Sequence, residues 1–336
     1  MPNSEWNIFM DLLRAGLWEK DLRLAESPDP AFWNTMLQHS RNQAVAGLLL
    51  RGITHLPKEQ LPPSGIRMKL LAEADYIERR NIQVNLVEAE VLEHFEKGGV
   101  VAQVMKGSRA AKHYANPMMR ESGDIDLYIP KEYFQKACEL VPKARKSPDG
   151  SAVFTHGGVI VELHGRYYDL HLPLSKLPPV PSVTGELLLY SSHILKHALG
   201  SGIGLKQLCD MARALTMTEG TYDKKEFEAI LVRSRLMRWH NMLCSLLVSD
   251  LELDPVYCLD NFKQGDAEPL RKIIRESGSF GSASESRIKA IQSGSTLAKK
   301  TNTTITFIKR LPFSMKIAPG EALATIRELI SGNISR

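Results

Sequence analysis

Cysteine is scarce and scattered: the four in 336 residues, Cys138, Cys209, Cys244 and Cys258, share no paired spacing. That argues against a disulfide framework or a cysteine-built zinc site and fits a reducing, cytoplasmic setting. No apolar run approaches the ~20 residues that span a bilayer. The start, Met1-Pro2-Asn3-Ser4, lacks a basic-then-apolar signal pattern. A dominant charge is missing too: the formal net charge is +5, compatible with an anionic ligand but by itself no mark of nucleic acid. With 43% hydrophobic and 24% charged residues, the composition is that of an ordinary soluble protein of two or three domains.

Against this plain background one stretch carries chemistry. Val100, Val101 and Val104 read as an apolar strand that turns at Lys106-Gly107-Ser108 and enters a helix-compatible run, Arg109 to Tyr114. A connection containing Arg120 leads to Asp124-Ile125-Asp126-Leu127-Tyr128-Ile129. Side chains alternate along a strand, so Asp124 and Asp126 project together while Ile125, Leu127 and Ile129 pack on the other face. Two adjacent carboxylates raise one another's pKa unless a cation sits between them. Hard divalent ions such as Mg²⁺ suit that arrangement and usually bind substrate phosphates as well. The Gly-Ser turn offers backbone N–H groups to a phosphate. Together these parts look like a metal-assisted phosphoryl- or nucleotidyl-transfer site.

Lys106-Gly107-Ser108, Tyr114, Pro117, Arg120 and Asp124-Ile125-Asp126 resemble the polymerase-beta-like nucleotidyltransferase superfamily, whose signature is a Gly-Ser turn followed by Asp-x-Asp. The lysine before the glycine, and the tyrosine and arginine in the connection, are similar to a bacterial branch of largely uncharacterised nucleotidyltransferases. The resemblance covers about residues 1 to 215. It implies NTP and Mg²⁺, in a two-metal site, with Asp124 and Asp126 as ligands and a third acid on a later strand. Glu162 fits that acid, as second-metal ligand or as base. Lys106 and Arg120 are candidates for phosphate neutralisation and Gly107-Ser108 for phosphate cradling. Relatives of this kind also carry histidines near His193 and His197, which suggests a role at the mouth of the site.

The implied fold class is α+β. A small mixed sheet forms a nucleotidyltransferase core over 98–180, between an N-terminal helical region (1–97) and a C-terminal helical domain with a basic tail (181–336). In the first region Ser4 can cap one helix. Asp29-Pro30 reads as a helix start and Gly52 as a stop. Pro62-Pro63-Ser64 opens a longer helix with apolar positions Leu70, Ile77, Ile82, Leu86, Val91 and Phe95, ending at Gly98-Gly99. Pro130 opens a helix through Val141. Ala152 to Thr155, a His156-Gly157-Gly158 turn and Val159 to His164 read as a β-hairpin. Glu162 is a lone carboxylate in an apolar strand and needs a partner or cation. His164, on its face, is a substrate contact or a hydrogen-bonded structural histidine.

A proline-rich connector, Pro173 to Pro181, precedes a helix from Glu186 to Leu199 with His193 and His197 one turn apart. Gly200 to Gly204 reads as a helix connection. Lys206 and Asp210 form an i, i+4 pair on the next helix, and Tyr222 to Leu251 reads as one long helix. From Arg287 to Lys316 there is no acid, while Arg287, Lys289, Lys299, Lys300, Lys309, Arg310 and Lys316 are basic. This reads as a solvated basic face, with an RNA or DNA footprint as the alternative. The expected function is Mg²⁺-dependent transfer of a nucleoside monophosphate from an NTP to an unidentified acceptor. The rival classes are an idle nucleotide-binding or regulatory module and an RNA-binding or RNA-modifying protein.

Overall fold

A computed structural model describes residues 3–146, 150–171, 177–200, 202–279 and 296–330. Its helices pack around a small mixed sheet in an α+β arrangement.

The N-terminal helices are α1 (Asn3–Trp18), α2 (Pro30–Gln43), α3 (Ala46–Thr54) and α4 (Ser64–Lys97). Asp29 caps α2 by accepting from the Phe32 N–H, and Pro30 occupies the first turn, where no N–H is needed. The chain breaks at Ala44, in the left-handed conformation (φ 54°), before α3 begins. Gly52 does not end α3. A side chain there would meet the Leu12 carbonyl at 1.8 Å, and one at Gly16 would meet the Leu48 carbonyl at 2.0 Å. The glycines therefore let α1 and α3 cross backbone to backbone. Helix α4 begins and ends where the prolines and glycines indicate. It buries Leu70, Ile77, Val84, Val87, Val91 and Phe95, but Ile82 and Leu86 face outward.

Five strands follow: β1 (Gln103–Val104), β2 (Asp124–Tyr128), β3 (Arg145–Lys146), β4 (Ser151–His156) and β5 (Val159–His164). They align in the order β1-β2-β5-β4-β3, with β2 and β5 parallel and the other pairs antiparallel. Between β1 and β2 the expected helix is one turn, α5 (Ser108–Ala111); α6 (Lys131–Leu140) lies between β2 and β3. The β4–β5 hairpin turns on Gly157 and Gly158, both with positive φ, as a tight two-residue turn requires. Ile125, Leu127, Val159, Val161 and Leu163 share an apolar cluster with Val84, Val87, Val91 and Phe95 of α4 and Ala137 and Cys138 of α6. That commits one sheet face to the core and leaves the other to the carboxylates.

The C-terminal helices are α7 (Val183–Leu199), α8 (Leu205–Met217), α9 (Lys224–Arg233), α10 (Met237–Leu251), α11 (Glu268–Ser277), α12 (Thr296–Ile317) and α13 (Pro319–Ile330). The single helix expected from Tyr222 is two. It breaks at Ser234 to Leu236, where Arg235 takes φ 57° and the Leu236 N–H reaches back to the Leu231 carbonyl. Residues of α1 to α4 and α7 to α12 belong to one continuous apolar cluster. Trp18 Nε1 donates to the Leu251 carbonyl at 2.6 Å, tying α1 to α10. Part of the basic stretch, Arg287 and Lys289, lies outside the described residues. Arg310 turns inward, donating to the Ala198 and Gly200 carbonyls and to Ser277, while Lys309 and Lys316 are exposed. Among the described residues no helix is long and apolar enough to cross a membrane.

Candidate active site

The register of β2 against β5 builds the site. Asp126 stands opposite Glu162, and Asp124 opposite Ile160. Residues paired across neighbouring strands project to the same face of the sheet. Asp126, Glu162 and, two residues on, His164 therefore converge. His164 Nε2 lies 2.8 Å from Asp126 Oδ1 and 3.6 Å from Glu162 Oε2. One ligand atom from each of the three lies within 4.8 Å of the others. Among the described residues this is the one group of His, Cys, Asp and Glu with metal-holding spacing, and Asp124 is not in it. Asp124 lies on the same strand face but is exposed. Two carboxylates and an imidazole fit a divalent cation.

Lys106 closes the other side. Its Nζ lies 3.3 Å from Asp126 Oδ2 and 3.3 Å from His193 Nδ1. Behind it, Asp169 Oδ2 is 3.0 Å from the same His193 nitrogen, and Asp169 Oδ1 accepts from Lys196 Nζ at 2.7 Å. His197 stacks edge-on against His193, centroids 4.4 Å apart. Burial alone would raise the Asp126 carboxyl, but the Lys106 charge and the His164 contact outweigh it and hold the carboxyl below its usual range. Glu162 moves the other way, pushed up by burial and by the Asp126 charge. Burial likewise opposes the charge on Lys106, and Asp126, Asp169 and Asp124 outweigh it, so the ammonium persists. His193 is held neutral, its pKa lowered by burial and by the Lys106 charge.

The turn beside them is pinned. Gly107 takes φ 64° and ψ −111°, a conformation open to glycine. Ser108 Oγ donates to the Glu88 carboxylate of α4 at 2.7 Å, and burial raises the Glu88 pKa. The long connection from Ser108 to Asp124 is held by two carboxylates. Glu186 of α7 accepts from Arg109 at 2.8 Å and from Tyr190 at 2.6 Å, and contacts His113 Nε2 at 2.9 Å. Asp210 of α8 accepts from Tyr114 at 2.7 Å and bidentately from Arg120 at 3.0 and 2.6 Å. Asn81 of α4 donates to the Met118 and Arg120 carbonyls.

The Arg120 guanidinium is thus buried in an ion pair, and its Nη1 donates to the Glu121 carbonyl. It shapes the connection and does not face the site as a free cation. Lys206 does not pair with Asp210 as expected. Its Nζ reaches the Glu121 carbonyl at 3.5 Å, and burial lowers its pKa. Lys106, Asp126, Glu162, His164 and His193 do come together.

Sequence reasoning passed over Glu88, Asp169, Glu186 and Lys196. For two of them a signal exists. Glu88 follows Val84 by four residues and precedes Val91 and Phe95 by three and seven, so it is a carboxylate on the buried stripe of α4. Glu186, Tyr190, His193 and His197 likewise recur every three or four residues and form a polar stripe along α7. Asp169, in the chain after β5, has no periodic signal.

A family described as uncharacterised nucleotidyltransferase matches residues 29–249, more than half of the chain, and the protein belongs to it. That span contains the sheet, the Gly-Ser turn and every residue of the site. No curated protein and no solved structure matches the chain.

Proposed function

We propose that the protein is a divalent-cation-dependent nucleotidyltransferase of the polymerase-beta-like kind, moving a nucleoside monophosphate from an NTP to an acceptor hydroxyl. The observation that carries this reading is the in-register pair Asp126–Glu162 on the open sheet face, beside the Gly107-Ser108 turn. The acceptor oxygen attacks the α-phosphorus while the bond to the pyrophosphate oxygen breaks. Pyrophosphate leaves, and the hydroxyl proton passes to a base.

Glu162 completes the acidic cluster, as a ligand of the cation or as the base that takes the acceptor proton; burial and the Asp126 charge raise its pKa, while Asp126 stays ionised. Asp126 and Glu162 would hold the cation, with Asp124 next to them; Mg²⁺ is the ion a nucleotide brings. A bound cation would offset charge on the triphosphate. Lys106 keeps Asp126 ionised and adds positive charge beside it. Gly107 and Ser108 offer backbone N–H groups to a phosphate. His193 and His197, behind Lys106, border the site.

The test is incubation of the protein with α-labelled NTP, Mg²⁺ and an extract of the source cells. A discrete labelled product with release of pyrophosphate supports the reading, and mass spectrometry of that product identifies the acceptor. Transfer of a γ-label instead points to a kinase. NTP binding without movement of either label leaves a nucleotide-binding module.

A further inference from the structure

We propose that His164 Nε2 is itself a ligand of the cation at Asp126 and Glu162, and that this mixed donor set selects Mn²⁺ over Mg²⁺. The proposal rests on the reading of this site as cation-binding and adds which atoms bind and which ion they prefer.

Strand geometry delivers the three donors without distortion. Glu162 and His164 are two residues apart on β5, so they share a face, and the register sets Asp126 opposite Glu162. Around an octahedral ion with bonds of about 2.1 Å, donors at right angles lie roughly 3 Å apart. The separations of 2.8 Å from His164 Nε2 to Asp126 Oδ1 and 3.6 Å to Glu162 Oε2 bracket that value. The ring nitrogen therefore already stands where a neighbouring ligand in the same coordination shell would stand.

The alternative role is to orient Asp126 by a hydrogen bond. It requires a proton on Nε2, whereas ligation requires the Nε2 lone pair and a neutral ring. Glu162 separates the two roles. A hydrogen-bonded orienting histidine needs one carboxylate, but Nε2 has two from different strands within reach, at 2.8 and 3.6 Å. Donor chemistry then sets the ion. Carboxylates alone suit Mg²⁺, which dehydrates reluctantly; Mn²⁺ shares the preference for oxygen but, as a transition ion, takes an imidazole nitrogen more readily than Mg²⁺ does. Mn²⁺ accepts both donor types and substitutes for Mg²⁺ on phosphates.

The experiment uses the full chain and Mn²⁺ as probe. Pulsed electron paramagnetic resonance of the bound ion should show coupling to an imidazole ¹⁴N. That coupling should vanish in His164→Gln and persist in His193→Gln, which controls for the nearby ring. Competition titrations should give a preference for Mn²⁺ over Mg²⁺ that falls about tenfold or more in His164→Asp, an all-carboxylate set. Bound Mn²⁺ without nitrogen coupling, coupling that survives His164→Gln, or an unchanged preference in His164→Asp would overturn the assignment. In those cases Mg²⁺-dependent transfer of an α-label can still stand. Failure to bind any divalent ion, with or without NTP, removes both readings.

Discussion

Asp126 and Glu162 face one another in register on neighbouring parallel strands, and their proton affinities are driven apart. Lys106 and His164 stand at the two oxygens of Asp126, and the Lys106 charge outweighs burial and keeps it ionised. Glu162, without a lysine of its own, is pushed up by burial and then by the Asp126 charge. Two like carboxylates thereby acquire different tasks.

From this, Glu162→Gln should lower the rate of α-label transfer by roughly 10²–10⁴-fold, the usual contribution of a positioned base. NTP affinity should change far less, since the base acts mainly in the transition state. Single-turnover transfer rates set against calorimetric NTP binding check it. An equal loss in both would make Glu162 a ground-state binding residue.

Asp126→Asn together with Asp124→Asn should abolish the cation dependence of NTP binding. The measurement is calorimetry with ATP, GTP, CTP and UTP, with Mg²⁺ and in EDTA. Binding by the double variant that still responds to Mg²⁺ as the native protein does would remove these residues from the cation site.

Asp210→Ala should destabilise the fold by about 3–5 kcal/mol, because it strands the Arg120 guanidinium without a counter-charge and takes the acceptor from Tyr114. Arg120→Met with Asp210→Leu should recover much of that loss, since removing both charges removes the unpaired ion as well. Urea unfolding of the single and double variants gives the comparison. If the double variant is the less stable one, the pair itself stabilises the fold.

Acid should weaken the fold partly through His240. Burial lowers its pKa from an ordinary 6.5 to about 4. Between those values the unfolded chain binds a proton that the folded protein refuses. The His240 contribution is therefore complete above about pH 6.5 and is lost as pH falls towards 4, by about 3 kcal/mol in all. Glu88 and Glu121, whose pKa values burial raises, contribute in the opposite sense as pH rises through them. The informative quantity is therefore a difference. Unfolding free energies of native protein and His240→Leu should be measured from pH 7 to 4: the native value minus the variant value should fall as pH falls, and parallel curves would contradict the assignment.

Gly107→Ala should reduce stability by about 1–3 kcal/mol, through strain at φ 64° and ψ −111°. Crowding is not the cause, since a Cβ there would meet nothing closer than the Asp124 carbonyl at 3.7 Å. Thermal unfolding measures the loss. NTP affinity should drop alongside it, because the turn carries Lys106 and Ser108.

The alternation of Asp124-Ile125-Asp126 and of Val159 to His164 was decisive on its own, because a pleated strand has a period of two. Which faces carry acids followed from local order, as did the hairpin at Gly157-Gly158 and the limits of α4. Local order does not specify which strands become neighbours, and the pairing of Asp126 with Glu162 depends on β2 meeting β5 across some thirty residues of chain. Long-range ion pairs were equally out of reach. Asp210 reads as a partner for Lys206 one helical turn away, yet it pairs with Arg120 from 90 residues earlier, because burial makes the bidentate guanidinium the better partner. Gly52 reads as a helix stop by propensity and is a contact surface for α1, since only packing reveals how close another backbone comes. His164 shows the division most sharply. Its strand face was evident from its spacing to Glu162, but its 2.8 Å approach to Asp126 arises from the tertiary pairing of two strands.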